Sequence, residues 1–66
     1  MKIIVNGNDY NLDKVITIQE LLSRLSLKKE LVAVEVNKNI LKKEKYEDTA
    51  VNDGDKIEIV HFVGGG

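Results

Sequence analysis

Sixty-six residues with no cysteine, 10 basic and 11 acidic side chains and a net charge of −1 make one small domain held by packing alone. Without cysteine there is no disulfide framework, no thiolate metal site and no thiol nucleophile. The even charge balance argues against a nucleic-acid binder, and no apolar run approaches the roughly 20 residues that cross a bilayer.

A chain this short buries only about 60% of the surface its unfolded form exposes, so stability must come from Ile, Leu and Val. The single His61 cannot build a metal site alone, and no metal is expected. Met1 to Gly7 is too short an apolar stretch for a signal peptide. A cytoplasmic protein, monomeric when free, is the expectation.

Lys2 to Asn6 is a β-branched run closed by Asn6-Gly7, a hairpin signal because both residues tolerate positive φ. A second strand over Asp9 to Asp13 is expected to pair back. Thr17-Ile18-Gln19-Glu20 has the form of a capping box, in which each end residue bonds the other's backbone N–H. Ile18, Leu21, Leu22 and Leu25 then fall on one helical stripe, predicting a helix from Ile18 to Leu25. Val32 to Asn37 alternates as a half-buried strand. Asn37-Lys38-Asn39 turns into a short strand at Ile40-Leu41, and the charged stretch Lys42 to Asp48 is expected to be irregular, anchored by Tyr46. Asn52-Asp53-Gly54-Asp55 is a turn that launches the last strand, Lys56 to Phe62.

One short amphipathic helix covers only one face of a sheet. The expected fold class is therefore α+β, a mixed four- to five-stranded sheet packed on one main helix, with the first and last strands adjacent at its centre. Ile3, Val5, Ile57 and Ile59 are assigned to the helix side. Ile4, Val60 and Phe62 then fall on the uncovered face, where with Val63 they are candidates for partner docking unless loop residues cover them.

Residues 1–62 are read as the domain and residues 63–66, Val63-Gly64-Gly65-Gly66, as a tail. Three glycines have no side-chain packing to offset their backbone entropy. Extended, the four residues after Phe62 reach at most about 13–14 Å, enough to carry a terminal carboxylate into a partner's active site. The plainer reading of such an ending is a frayed terminus or an expression tag.

The whole chain resembles the ThiS sulfur carriers of thiamin thiazole biosynthesis, within the ubiquitin-like β-grasp superfamily. The resemblance rests on Ile3-Ile4-Val5-Asn6-Gly7, Thr17-Ile18-Gln19-Glu20-Leu21-Leu22, Asn52 to Val60 and, most specifically, His61-Phe62-Val63-Gly64-Gly65-Gly66. Gly65 and Gly66 match the family's terminal pair; Gly64 is an additional glycine. The resemblance implies that a ThiF-like enzyme uses MgATP to adenylate Gly66, that sulfur from a persulfide donor displaces AMP, and that the resulting thiocarboxylate serves a ThiG-like thiazole synthase. It implies a carrier, not an enzyme, that binds no cofactor itself. The chain has no recognisable general base, nucleophile and oxyanion group, and no Gly-rich phosphate loop. His61, a lone strand histidine, is read as structural or solvent-facing, and Lys42-Lys43-Glu44-Lys45 as a solvated loop.

Two alternatives stand beside this one. The small subunit of molybdopterin synthase shares the fold, tail and thiocarboxylate chemistry, although its chains are usually longer. A ubiquitin-like interaction module would bind through Ile4, Val60 and Phe62 and leave its tail idle.

Overall fold

The computed structural model describes residues 1–62. Its strands are β1 (Lys2–Val5), β2 (Asn8–Asn11), β3 (Ile16–Thr17), β4 (Val32–Val36), β5 (Asn39–Leu41), β6 (Ala50–Val51) and β7 (Lys56–His61). One helix, α1 (Ile18–Arg24), and two 3₁₀ turns, Lys29–Leu31 and Lys43–Lys45, complete the order. The main sheet runs β2-β1-β7-β4-β5. β1 and β7 are parallel neighbours near its centre, and the other pairings are antiparallel.

Each local element follows from its chemistry. Asn6 and Gly7, at φ 50° and 82°, form the two-residue turn that sets Val5 opposite Asn8. β2 runs to Asn11, short of the expected Asp13, because β1 begins at the chain's start: Leu12, buried in the core, exchanges its last backbone bonds with Met1, its N–H on Met1 O at 2.8 Å and the Met1 ammonium on Leu12 O at 3.0 Å. Thr17 caps α1, its hydroxyl oxygen accepting from the Glu20 N–H at 3.1 Å. The return bond from the Glu20 carboxylate is not formed among the described residues, so the box is half built. The helix closes at Leu25 with Ser26 at φ 60°, Ser26 N–H on Ser23 O and Leu27 N–H on Leu22 O. That pair of bonds is a Schellman motif.

The stretch Lys42 to Asp48 is not irregular. It winds through a 3₁₀ turn and buries Tyr46 to 1% exposure. Its Tyr46 carbonyl and that of Thr49, the residue just after the stretch, also serve the helix: Gln19 N–H donates to Tyr46 O at 3.0 Å and Ile18 N–H to Thr49 O at 2.9 Å. Helix N-termini leave their first N–H groups without internal partners, so this segment completes α1. The same approach pairs β3 with β6 in a separate two-residue ladder that periodicity cannot register.

The β4–β5 hairpin turns on Asn37 and Lys38, at φ 51° and 72°. A side chain in the left-handed region costs about 1–2 kcal/mol. Glycine relieves this cost but loses about 0.4–1 kcal/mol to unfolded-chain entropy. Lys38→Gly is therefore expected to stabilise the protein by roughly 0.5–1 kcal/mol in urea unfolding. A destabilised variant would mean that the Lys38 side chain packs usefully.

Ile3, Ile57 and Ile59 are buried against a core that includes Ile18, Leu21 and Leu22, with Val5 packed at its margin, as assigned from alternation. The mixed sheet on one main helix is a β-grasp fold. Among the described residues, no helix is long and apolar enough to cross a membrane.

Candidate functional site

The candidate site is the end of β7, the last element of the described residues. β7 is a central strand: β4 pairs with it from Val36↔Ile57 to Val32↔His61, and Phe62 N–H extends that ladder to Leu31 O at 2.8 Å. On its other edge β1 reaches only Val5↔Ile57. There the Asn6 side chain takes over, donating through Nδ2 to Ile59 O at 3.2 Å and accepting from Ile59 N–H at 2.7 Å. A side-chain amide thus supplies the donor and acceptor of a missing strand residue. The exit is held from both sides.

Lys43 adds a third restraint. Its ammonium donates to Lys29 O at 2.8 Å and Val32 O at 2.7 Å, and lies 5.6 Å from the centroid of the Phe62 ring. That is within the range of a cation–π contact. Lys43 is therefore a clasp between the first 3₁₀ turn, β4 and Phe62. The expected solvated loop gave no sign of it, because every contact is distant in sequence.

The uncovered sheet face separates the predicted docking residues. Val60 and Phe62 are 56% and 49% exposed, the Phe62 ring with the Lys43 ammonium beside it. Leu31, 41% exposed, lies beside Phe62 through the backbone bond, and Ala33 pairs directly with Val60. Ile4 is half-buried and stands opposite Lys56, with Glu58 between it and Val60 along the same face of β7. At about 3.3 Å per residue, it lies roughly 13 Å down the strand from Val60. The apolar surface beside the exit is thus Leu31, Ala33, Val60 and Phe62. Alternation found the last two; the first two needed the β4–β7 register.

His61 is exposed at the strand end, opposite Val32. Among the described residues, no group of His, Asp and Glu side chains could hold a metal ion. Val63, Gly64, Gly65 and Gly66, the predicted tail and reactive end, lie outside the described residues. On the helix side, a groove of about 390 Å³ is lined by residues including Val5, Asn8, Tyr10, Leu25 and Leu27.

Comparison with known proteins bears on this arrangement. The sulfur carrier protein ThiS of Bacillus subtilis (strain 168) is 49% identical over 63 residues, covering 94% of this chain and 96% of that protein. A thiazole synthase of Paramagnetospirillum magneticum (strain ATCC 700264 / AMB-1) is 47% identical over 66 residues, covering 100% of this chain. This chain spans only 20% of that synthase. The crystal structure of the thiamine biosynthesis protein ThiS from Geobacter metallireducens matches with a TM-score of 0.86 at 39% identity, each chain covered in full. The sequence model of the ThiS family matches residues 3–66, glycine tail included, and the chain belongs to that family.

Proposed function

We propose that this chain is a sulfur carrier for thiazole formation in thiamin biosynthesis, and that sulfur rides on the α-carboxyl carbon of Gly66. The observation that carries the reading is the anchored exit: a central strand, secured through Phe62, ends four residues before Gly66. A body built this way presents a reachable acyl end and leaves catalysis to others. The family match through residue 66 and the carrier from Bacillus subtilis support it.

The chemistry follows from the electronics of a carboxylate, whose negative charge repels nucleophiles. An adenylating enzyme would bind MgATP, and a Gly66 carboxylate oxygen would attack the α-phosphorus, expelling pyrophosphate. The terminal sulfur of a persulfide then attacks the acyl carbon and AMP departs, leaving an acyl disulfide. A thiol takes the outer sulfur into a new disulfide and releases the thiocarboxylate. Splitting one unfavourable substitution into two easier ones is the logic of covalent activation. The chain is a co-substrate in this scheme, working in the cytoplasm.

The sulfur acceptor is a thiazole synthase. Two proteins of that name, from Paramagnetospirillum magneticum and Magnetococcus marinus (strain ATCC BAA-1437 / JCM 17883 / MC-1), match this whole chain at 47% and 41% identity over 20% of their length. These relatives favour the thiazole pathway over molybdopterin synthesis. The exposed Val60 and Phe62, with Leu31 and Ala33, form the docking surface at the end of β7; Ile4 stands apart from it, and the candidate Val63 lies outside the described residues.

Intact-mass spectrometry tests the reading. Incubation with a ThiF-like enzyme, MgATP and a persulfide source is expected to add the mass of one oxygen replaced by sulfur, located on Gly66. No gain with an enzyme competent on another ThiS chain overturns the proposal.

A further inference from the structure

The β4–β7 register sets Glu35 directly opposite Glu58 on the face turned away from α1. Opposed residues in an antiparallel pair hold their Cβ atoms about 4.5–5.5 Å apart, and like charges there are unfavourable. No ion pair among the described residues compensates. The ion pairs among the described residues are Lys2–Asp9 and Arg24–Asp13, and neither involves these carboxylates. Lys56, two residues along β7 on the same face, closes no ion pair with either.

Toward Phe62 and across β5, the residues next to this pair are apolar. Ala33 and Val60 form the next pair toward the exit, and Ile40, 79% exposed, stands opposite Glu35 on β5. Two like charges opposed across a ladder are an unfavourable cross-strand pair, a cost that here follows from the register. A partner that supplies one cation between them would recover that cost, and more, once water is excluded.

We infer that Glu35 and Glu58, with Val60 and Phe62, form a docking surface for a thiazole synthase that presents an arginine flanked by apolar side chains. The inference rests on the sulfur-carrier reading and deepens it. A planar guanidinium offers donors in a fork that can serve two carboxylates at once, which a lysine ammonium cannot match geometrically. The synthase is favoured over the adenylating enzyme because thiazole synthases carry a counterpart of this whole chain within one polypeptide. In those proteins the standing neighbour of this fold is the rest of a synthase.

The test uses the full chain with Glu35→Gln and Glu58→Gln, singly and together, and purified thiazole synthase. Calorimetry is expected to show affinity for the synthase falling roughly tenfold or more for each single variant, with a flatter salt dependence. Thermal stability is expected to stay level or rise, because a repulsion has been removed. That opposition of sign separates docking from a structural role, which would lower both. Equal affinity of wild type and the double variant for the synthase overturns this inference alone. An equal loss of affinity for the adenylating enzyme overturns the assignment to the synthase. Wild type that neither gains sulfur nor binds the synthase overturns the carrier reading as well.

Discussion

Converting the Gly66 carboxylate to an amide is expected to abolish sulfur loading and to leave the folded domain unchanged. The amide has no anionic oxygen to attack the α-phosphorus of ATP, so no acyl-adenylate forms and no sulfur enters. Deleting Gly65 and Gly66 should have the same outcome for a different reason, since it shortens the reach by about 7 Å. Among the described residues the buried core ends at Ile59, so unfolding free energy should stay within about 0.5 kcal/mol of the parent. Mass spectrometry after loading reads the first effect and urea unfolding the second. An amidated chain that still gains sulfur would place the chemistry elsewhere, and one that unfolds would show that the tail has a structural role.

Tyr46→Ala should bring the largest loss of stability of any single change discussed for this domain. Truncating a buried aromatic costs about 3–5 kcal/mol. Domains hold about 0.05–0.15 kcal/mol per residue, which for a chain of this size is only roughly 3–10 kcal/mol in all. The position is doubly exposed to damage, because the loop that buries Tyr46 also supplies the carbonyls that satisfy Ile18 and Gln19 at the start of α1. Urea unfolding followed by circular dichroism is expected to show a much lower midpoint or no folded baseline. A loss under about 1 kcal/mol would mean that the segment does not hold the helix.

Burial also raises the Tyr46 phenol above its ordinary 10.0, opposed in part by a backbone hydrogen bond at Val34. The folded state therefore keeps this proton to higher pH than the unfolded chain does. The contribution is whole below pH 10 and declines as pH rises through the folded-state value. Tyr46→Phe cannot ionise, and its alkaline stability profile should lack that decline.

Much of this architecture is legible locally. The stripe of Ile18, Leu21 and Leu22 and the turn at Asn6-Gly7 are signals within a few residues, and the structure builds both. Alternation in Lys56 to His61 correctly divides Ile57 and Ile59 from Val60. What escaped detection depends on partners far along the chain. The β3–β6 ladder joins Ile16 and Thr17 to Val51 and Ala50 with too few residues for any period to appear. Lys43 reads as one charge in a charged run until its ammonium is found on Lys29 and Val32. Leu31 joins the exposed surface only through register, and Ile4 leaves it for the same reason. The predicted reactive end, residues 63–66, lies outside the described residues, so its reading rests on chemistry and kinship.

The Asn6 amide that occupies both backbone groups of Ile59 has a consequence for behaviour in a crowded solution. A strand that outruns its neighbour offers unpaired groups along one border, an invitation for a second molecule to add itself there. By filling that border from within, Asn6 denies a stray chain its foothold near the point where the tail begins.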